Sequence, residues 1–385
     1  MTSTVQQTKP PALAGLLQSR QLIVCLGTGG VGKTTTSALL ALAGAYVGRK
    51  AVVLTIDPAR RLADALGVGT LGSEPREVDP TRLWPGSKGT LHALMLNPAE
   101  TFDRLVARMV KDEARRDRML QHPVYQQMSR GLAGVHEYMA VEKLHDLAHD
   151  PRFDLVVLDT PPSKNALDFL EAPNRASKFF NEKITRFFVP KEGKPSITDR
   201  FFHAAQDAAM GLIGKVVGED FMKDLADFMA SFQGLFTAFE ERGLFVEKYL
   251  RGEKCAYVIV TAPDPVRVEE GLEFAARLRD FKLRPSAFVV NRVRLTPAGG
   301  VPTPEQALQV LAEHNVDATR RADLAAALSR HQQERAALSD RDARTVAELH
   351  RRADGAEVLV APDVLESPND PEALAGVCRA LLGFP

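Results

Sequence analysis

The residues best suited to chemistry form one stretch, Gly27-Thr28-Gly29-Gly30-Val31-Gly32-Lys33-Thr34-Thr35. Two templates fit it. Gly27, Gly29 and Gly32 match a dinucleotide fingerprint, with Asp57 ending the next apolar run at roughly the distance a ribose-binding acid needs. Gly27, Gly32, Lys33 and Thr34 match the phosphate loop G-x-x-x-x-G-K-[ST]. The Lys-Thr pair chooses between them, because it has no role in dinucleotide binding and a required one in triphosphate binding. Backbone N–H groups from Gly27 to Thr35 would cradle the phosphates at a helix N-terminus. Lys33 would reach the β- and γ-phosphates of ATP, and the Thr34 hydroxyl would hold Mg²⁺.

Phosphoryl transfer also needs a second metal-holding group and something to orient water. Asp159 ends an apolar run and reads as the acid that holds Mg²⁺ through water. Asp57 is the candidate catalytic group beside Lys33, placed to position or deprotonate the attacking water and close enough to count among the metal-site residues Thr34, Asp57 and Asp159. An alternative role for Asp57 is to cap a helix starting near Pro58.

These residues must be positioned by elements. Leu22 to Leu26 reads as a buried strand leading into the glycines, and Ser37 to Val47 as the helix leading out. Further apolar strands are expected at Ala51–Ile56, Thr90–Leu96, Leu155–Leu158, Cys255–Val260, Ala287–Val290 and Val358–Val360, with helices between. Gly67 to Gly89 is rich in Gly and Pro and reads as loop. Strands alternating with helices imply an α/β fold, a mostly parallel sheet covered on both faces. Ligands of such sheets lie beyond the carboxyl ends of the strands. There the sequence puts the glycine loop, Asp57, Asp159, Asn291, and Pro362 with Asp363. For Asp363 an N-cap role is an equal alternative.

Bulk properties narrow the class. The 385 residues are 45% hydrophobic and 25% charged, a globular composition. Lys+Arg and Asp+Glu number 49 each, so nothing in the balance argues for a nucleic-acid surface. Cys25, Cys255 and Cys378 are far apart and form no C-x-x-C, which disfavours structural zinc or a disulfide framework and favours a reducing compartment. Met1 to Pro11 lacks the pattern of a secretion signal, and no run of roughly 18 apolar residues is present to insert in a bilayer. A cytoplasmic location is expected.

G-x-G-G-V-G-K-T-T, D-P-A-R-R-L-A-D-A-L, D-T-P-P-S and the V-V-N strand end together resemble the ArsA family, which comprises the arsenite-pump ATPase and the Get-pathway ATPase that targets tail-anchored membrane proteins. The stretch His122 to Leu144 resembles its bacterial branch. The resemblance covers most of the chain. It implies a nucleotide-bridged homodimer, with Asp57 as first switch acid, Asp159 as second, Asn291 on the adenine edge, and the loop near Pro362 closing over the base. Three departures stand out. The family's signature lysine, which reaches the partner's phosphates, is Thr28 here. The second switch continues Ser163-Lys164-Asn165 where Get-pathway members have Thr-Gly-His. The zinc pair of the Get-pathway ATPase and the metalloid-binding cysteines of the pump are missing, so an arsenite-pump subunit is not expected. Arg60, Arg61 and Lys164 are candidates to replace the missing cation, or else solvated charges.

A large all-helical insertion subdomain is expected at 97–150 and 165–250, with the nucleotide-binding core at 1–96, 151–164 and 251–385. Thirteen of the 19 phenylalanines lie between Phe169 and Phe245. Phe221, Leu225, Phe228, Phe232, Leu235 and Phe239 recur at helical spacing. That stripe suits a subdomain core, or a groove for a hydrophobic client helix such as that of a tail-anchored protein. The expectation is therefore an ATP-hydrolysing homodimer that couples nucleotide state to a client. The alternative is a low-turnover nucleotide-binding regulator or scaffold, partnered with a lysine-bearing homologue.

Overall fold

The computed structural model describes residues 12–57, 59–110, 112–121, 125–126, 135–161, 240–295, 302–314, 316–363 and 371–383. The chain divides into two compact units. One comprises Met1–Met95, Pro151–Ala166 and Glu253–Pro385, and the other Leu96–Asp150 and Leu167–Gly252.

The first unit is built on an eight-stranded sheet in the order β3-β4-β2-β5-β1-β6-β7-β8. Its strands are β1 (Leu22–Leu26), β2 (Lys50–Thr55), β3 (Arg76–Val78), β4 (Thr90–Met95), β5 (Leu155–Asp159), β6 (Cys255–Thr261), β7 (Ala287–Val293) and β8 (Glu357–Pro362). All neighbouring pairs are parallel except β3 with β4. The central strands β1 and β5 are buried at every position, which is why their sequences, Leu-Ile-Val-Cys-Leu and Leu-Val-Val-Leu-Asp, run apolar instead of alternating. The Lys33–Tyr46 helix buries nearly its whole length. Its small residues allow close approach to the sheet: a Cβ on Gly44 would come within 2.5 Å of Leu155 Cδ2.

The span expected as loop between Gly67 and Gly89 holds two elements. β3 pairs antiparallel with β4, and a short helix, Pro80–Leu83, starts at Asp79, whose side chain accepts from Thr81 N–H. Three residues are too few to show alternation, so only the partner strand reveals β3. Beyond β7, one 35-residue helix (Ala318–Arg352) packs against the Pro304–Glu313 helix.

In the second unit the helices Pro98–Met109, Glu113–Gln121 and Val135–His149 are joined by helical residues 240–251. Arg108 binds both oxygens of Asp146 at 2.8 and 2.7 Å, and Arg242 pairs with the buried Glu142. The Phe221–Phe239 stripe, Phe228 and Phe232 included, and the Ser163-Lys164-Asn165 segment lie outside the described residues. Among the described residues, no helix is long and apolar enough to cross a membrane.

Candidate functional site

The parallel sheet brings the carboxyl ends of β1, β2, β5, β6 and β7 to one side, and the glycine loop crosses that side between β1 and the Lys33–Tyr46 helix. Backbone shape fixes the loop. Gly30 (φ 81°) and Gly32 (φ 88°) are left-handed, and Gly32 is the helix N-cap. A Cβ on Gly32 would sit 2.0 Å from Asn291 Nδ2, and one on Gly27 would sit 2.4 Å from the Val260 carbonyl oxygen. The ends of β6 and β7 therefore press on the loop from outside. Val31 plugs it into the core, and Asn291 Nδ2 donates to the Val31 carbonyl at 2.9 Å.

At the head of the helix, Thr34 Oγ1 donates to Asp159 Oδ2 at 2.8 Å. Thr55 Oγ1 donates to the same oxygen at 2.9 Å, and Ser37 Oγ lies 3.5 Å from Oδ1. Asp159 is fully buried, and burial pushes its carboxyl up from the usual range, against the charge of Lys33 and the two threonine hydrogen bonds. Burial likewise pulls the Lys33 ammonium down, opposed chiefly by Asp159. Thr55 also accepts the Asp57 N–H at 3.2 Å, which ties the end of β2 to Asp159.

Asp57 is held on both oxygens. Oδ1 accepts from Ala59 N–H at 3.0 Å, and Oδ2 from Arg61 Nη1 at 3.3 Å. The next helix is Arg61–Ala65 with Arg60 at its N-cap, so Asp57 closes the turn before the helix instead of capping a helix at Pro58. Arg60 points elsewhere, to the Gly69 carbonyl at 3.3 Å. Pro362 pairs with Val293, and Asp363 N–H donates to the Val293 carbonyl at 2.9 Å, so both extend the β7–β8 ladder. Residues 364–370, where a helix capped by Asp363 would begin, lie outside the described residues.

A cavity of about 460 Å³ opens over the loop, lined by Thr28, Gly30, Lys33, Thr34, Thr35 and Arg292, with Arg61 and Asp64 among its other walls. Thr55, Ser37 and Arg292 had no signal in the sequence as site residues. Thr55 reads as an ordinary strand former, Ser37 as a helix residue, and Arg292 as a charge after a strand.

The donors fit a nucleoside polyphosphate with a hard divalent cation. A buried lysine stands at a helix N-terminus in a glycine loop, beside a hydroxyl and a carboxylate that offer only oxygen. Among the described residues, no group of three or more His, Cys, Asp or Glu could hold a metal ion. A cation here would be shared with phosphate oxygens and water, as Mg²⁺ is.

The family profile of the anion-transporting ATPases matches residues 20–299. The chain belongs to this family. ATPase GET3 of Malassezia globosa is 32% identical over 179 residues, 46% of this chain and 50% of that protein. ATPase ASNA1 homolog 1 of Paramecium tetraurelia is 27% identical over 186 residues, 47% of this chain and 52% of that one. The chain thus spans about half the length of these two relatives. ATPase GET3 of Podospora anserina aligns more fully, at 24% identity over 292 residues, 75% of this chain and 78% of that protein. Within the family match lie the glycine loop, Asp57, Asp159 and Asn291, whereas the Ala318–Arg352 helix falls outside it.

Proposed function

We propose that the chain binds ATP with Mg²⁺ and hydrolyses it to ADP and phosphate. The observation that carries this reading is the Thr34–Asp159 hydrogen bond at 2.8 Å, at the head of a glycine loop whose lysine is buried. Lys33 and the loop N–H groups bind the phosphates. Thr34 and Asp159 hold Mg²⁺, which when bound supplies charge that offsets the charge developing on the phosphates. Asp57 stands fixed by Ala59 and Arg61 as the carboxylate that orients the attacking water and takes its proton. Asn291 borders the site through Val31 and reads as an adenine contact, with Pro362, the last residue of β8, and Asp363 just after it beside Val293, two residues along β7.

The named relatives are ATPases, and the resemblance in the motifs extends the proposal to a homodimer that couples nucleotide state to a hydrophobic client helix. The Phe- and Met-rich segment is the candidate client surface. Thr28 favours a second reading, a nucleotide-binding regulator or scaffold with little turnover.

Titration calorimetry and phosphate release test the proposal together. Lys33→Ala is expected to weaken ATP binding by about 100-fold or more, since it removes a charge-assisted phosphate contact from a buried site. Asp57→Asn is expected to bind ATP within about threefold of wild type and to lose about 10²-fold or more in turnover. Wild-type hydrolysis rates in Asp57→Asn would overturn the role given to Asp57. Nucleotide binding with no measurable turnover in wild type would instead support the regulator.

A further inference from the structure

Arg292 follows Asn291 at the end of β7, and its backbone is strained. Its φ is 63°, a left-handed conformation that long side chains rarely adopt. It lies where the β7–β8 ladder loses register: Val290 pairs with Val360 and Val293 with Pro362, which leaves one extra residue on β7. Such a bulge re-aims a side chain. Here it sends the guanidinium to the glycine loop, with Nη1 3.5 Å from the Gly30 carbonyl oxygen, and makes Arg292 a wall of the cavity that Lys33, Thr34 and Thr35 also line.

Charge pairing sets Arg292 apart from its cationic neighbours. Arg61 is engaged by Asp57 at 3.3 Å. Arg267, whose Nη1 is 3.5 Å from Thr28 Oγ1, is engaged by Glu270 at 2.9 Å. Among the described residues, no carboxylate lies within ion-pair distance of Arg292. A strained backbone that brings to the glycine loop a guanidinium with no carboxylate partner among the described residues is the kind of outlier from which function can be inferred.

We propose that Arg292 is a phosphate-binding residue of the nucleotide site. Its planar fork donates to non-bridging oxygens of the polyphosphate chain from the rim of the cavity, while Lys33 holds the chain from the buried floor. The Arg292 contact rests on the ATP-binding reading and adds to it a cation supplied by the same chain.

The test compares wild type, Arg292→Gly and Arg292→Lys. A fluorescent ATP analogue reports affinity, inorganic tripolyphosphate competes without a base or ribose, and melting temperature reports folding. Glycine removes the side chain and suits the left-handed backbone, so Arg292→Gly is expected to melt no lower than wild type. It is expected to bind both the analogue and tripolyphosphate about tenfold or more weakly, with Arg292→Lys in between, as loss of a charge-assisted hydrogen bond requires. A loss confined to the nucleotide, with tripolyphosphate unaffected, would place Arg292 on the base or ribose and overturn the proposal. Unchanged affinity for both in Arg292→Gly would reduce the bulge to a structural feature while leaving the ATP-binding reading intact. Failure of wild type to bind either probe would remove that reading and Arg292's role with it.

Discussion

Two buried carboxylates in this chain meet different surroundings. Asp159 is held by hydroxyls from Thr34 and Thr55 and by the charge of Lys33. Glu142, in the helical unit, is pushed up to about 7, first by burial and then by the charge of Asp146, against the charges of Arg242 and Arg108. One of its oxygens, Oε2, is buried with no hydrogen-bond partner among the described residues. At Asp146 burial also pulls upward, but the neighbouring His145, the hydrogen bonds from Arg108 and the charges of Arg108 and Arg242 outweigh it and leave that carboxyl well below its usual range. For Glu142 the folded chain keeps a proton that the unfolded chain releases. Its contribution to stability is therefore complete below pH 4.5 and is lost as pH rises to about 7. The expected loss between pH 5 and pH 8 is up to about 3 kcal/mol, and Glu142→Gln should abolish it. Urea unfolding at the two pH values decides the matter, since equal pH dependence in both proteins would show that another group is responsible.

Among the elements, the glycine loop is the most constrained, and Gly30 and Gly32, both left-handed, differ in one respect. Around Gly30 a Cβ would meet nothing within 4 Å, whereas at Gly32 it would strike the Asn291 amide. Both Ala variants must strain the backbone, at roughly 1 kcal/mol or more. Gly32→Ala must also displace the amide that bonds the Val31 carbonyl, so it is expected to cost about 1–2 kcal/mol more than Gly30→Ala and to weaken nucleotide binding further. Chemical denaturation of the two variants measures the difference. Equal costs would mean that Asn291 merely rests against the loop.

For the whole molecule, the parallel sheet puts its strand ends, and with them the site residues, on one side, leaving the phosphate loop at a surface that a second copy could approach. A cation delivered across such an interface raises phosphoryl-transfer rates by roughly 10³–10⁵. Thr28 cannot deliver one: its hydroxyl is short and neutral, and lies 3.5 Å from an arginine already paired with Glu270. Turnover by the chain alone is therefore expected below about 1 s⁻¹, the low end of ordinary enzymes. Thr28→Lys is expected to raise turnover about tenfold or more, with the gain growing as protein concentration favours the dimer. Fast wild-type turnover that Arg61→Ala or Lys164→Ala abolishes would identify a replacement cation and refute slow hydrolysis.

The features legible in the sequence are those with local causes. A glycine loop ending in Lys-Thr needs particular backbone angles and particular side chains within a few residues, so Gly27 to Thr35 could be read directly. Strands buried on both faces must be apolar throughout, so β1, β2, β5, β6 and β7 stood out, and their alternation with helices implied the parallel sheet. What the tertiary structure decided depends on contacts between distant segments. The strand order places β5 between β2 and β1, which is what brings Thr55 and Ser37 to Asp159 and ties Asp57 to the same carboxylate through Thr55. β3 exists only because β4 offers it an edge. The direction of Arg292 comes from one residue of mismatch between β7 and β8, and the hold of Asn291 on Val31 spans 260 positions. No local pattern encodes such placements, because ladder register and side-chain aim are set by the partner strand.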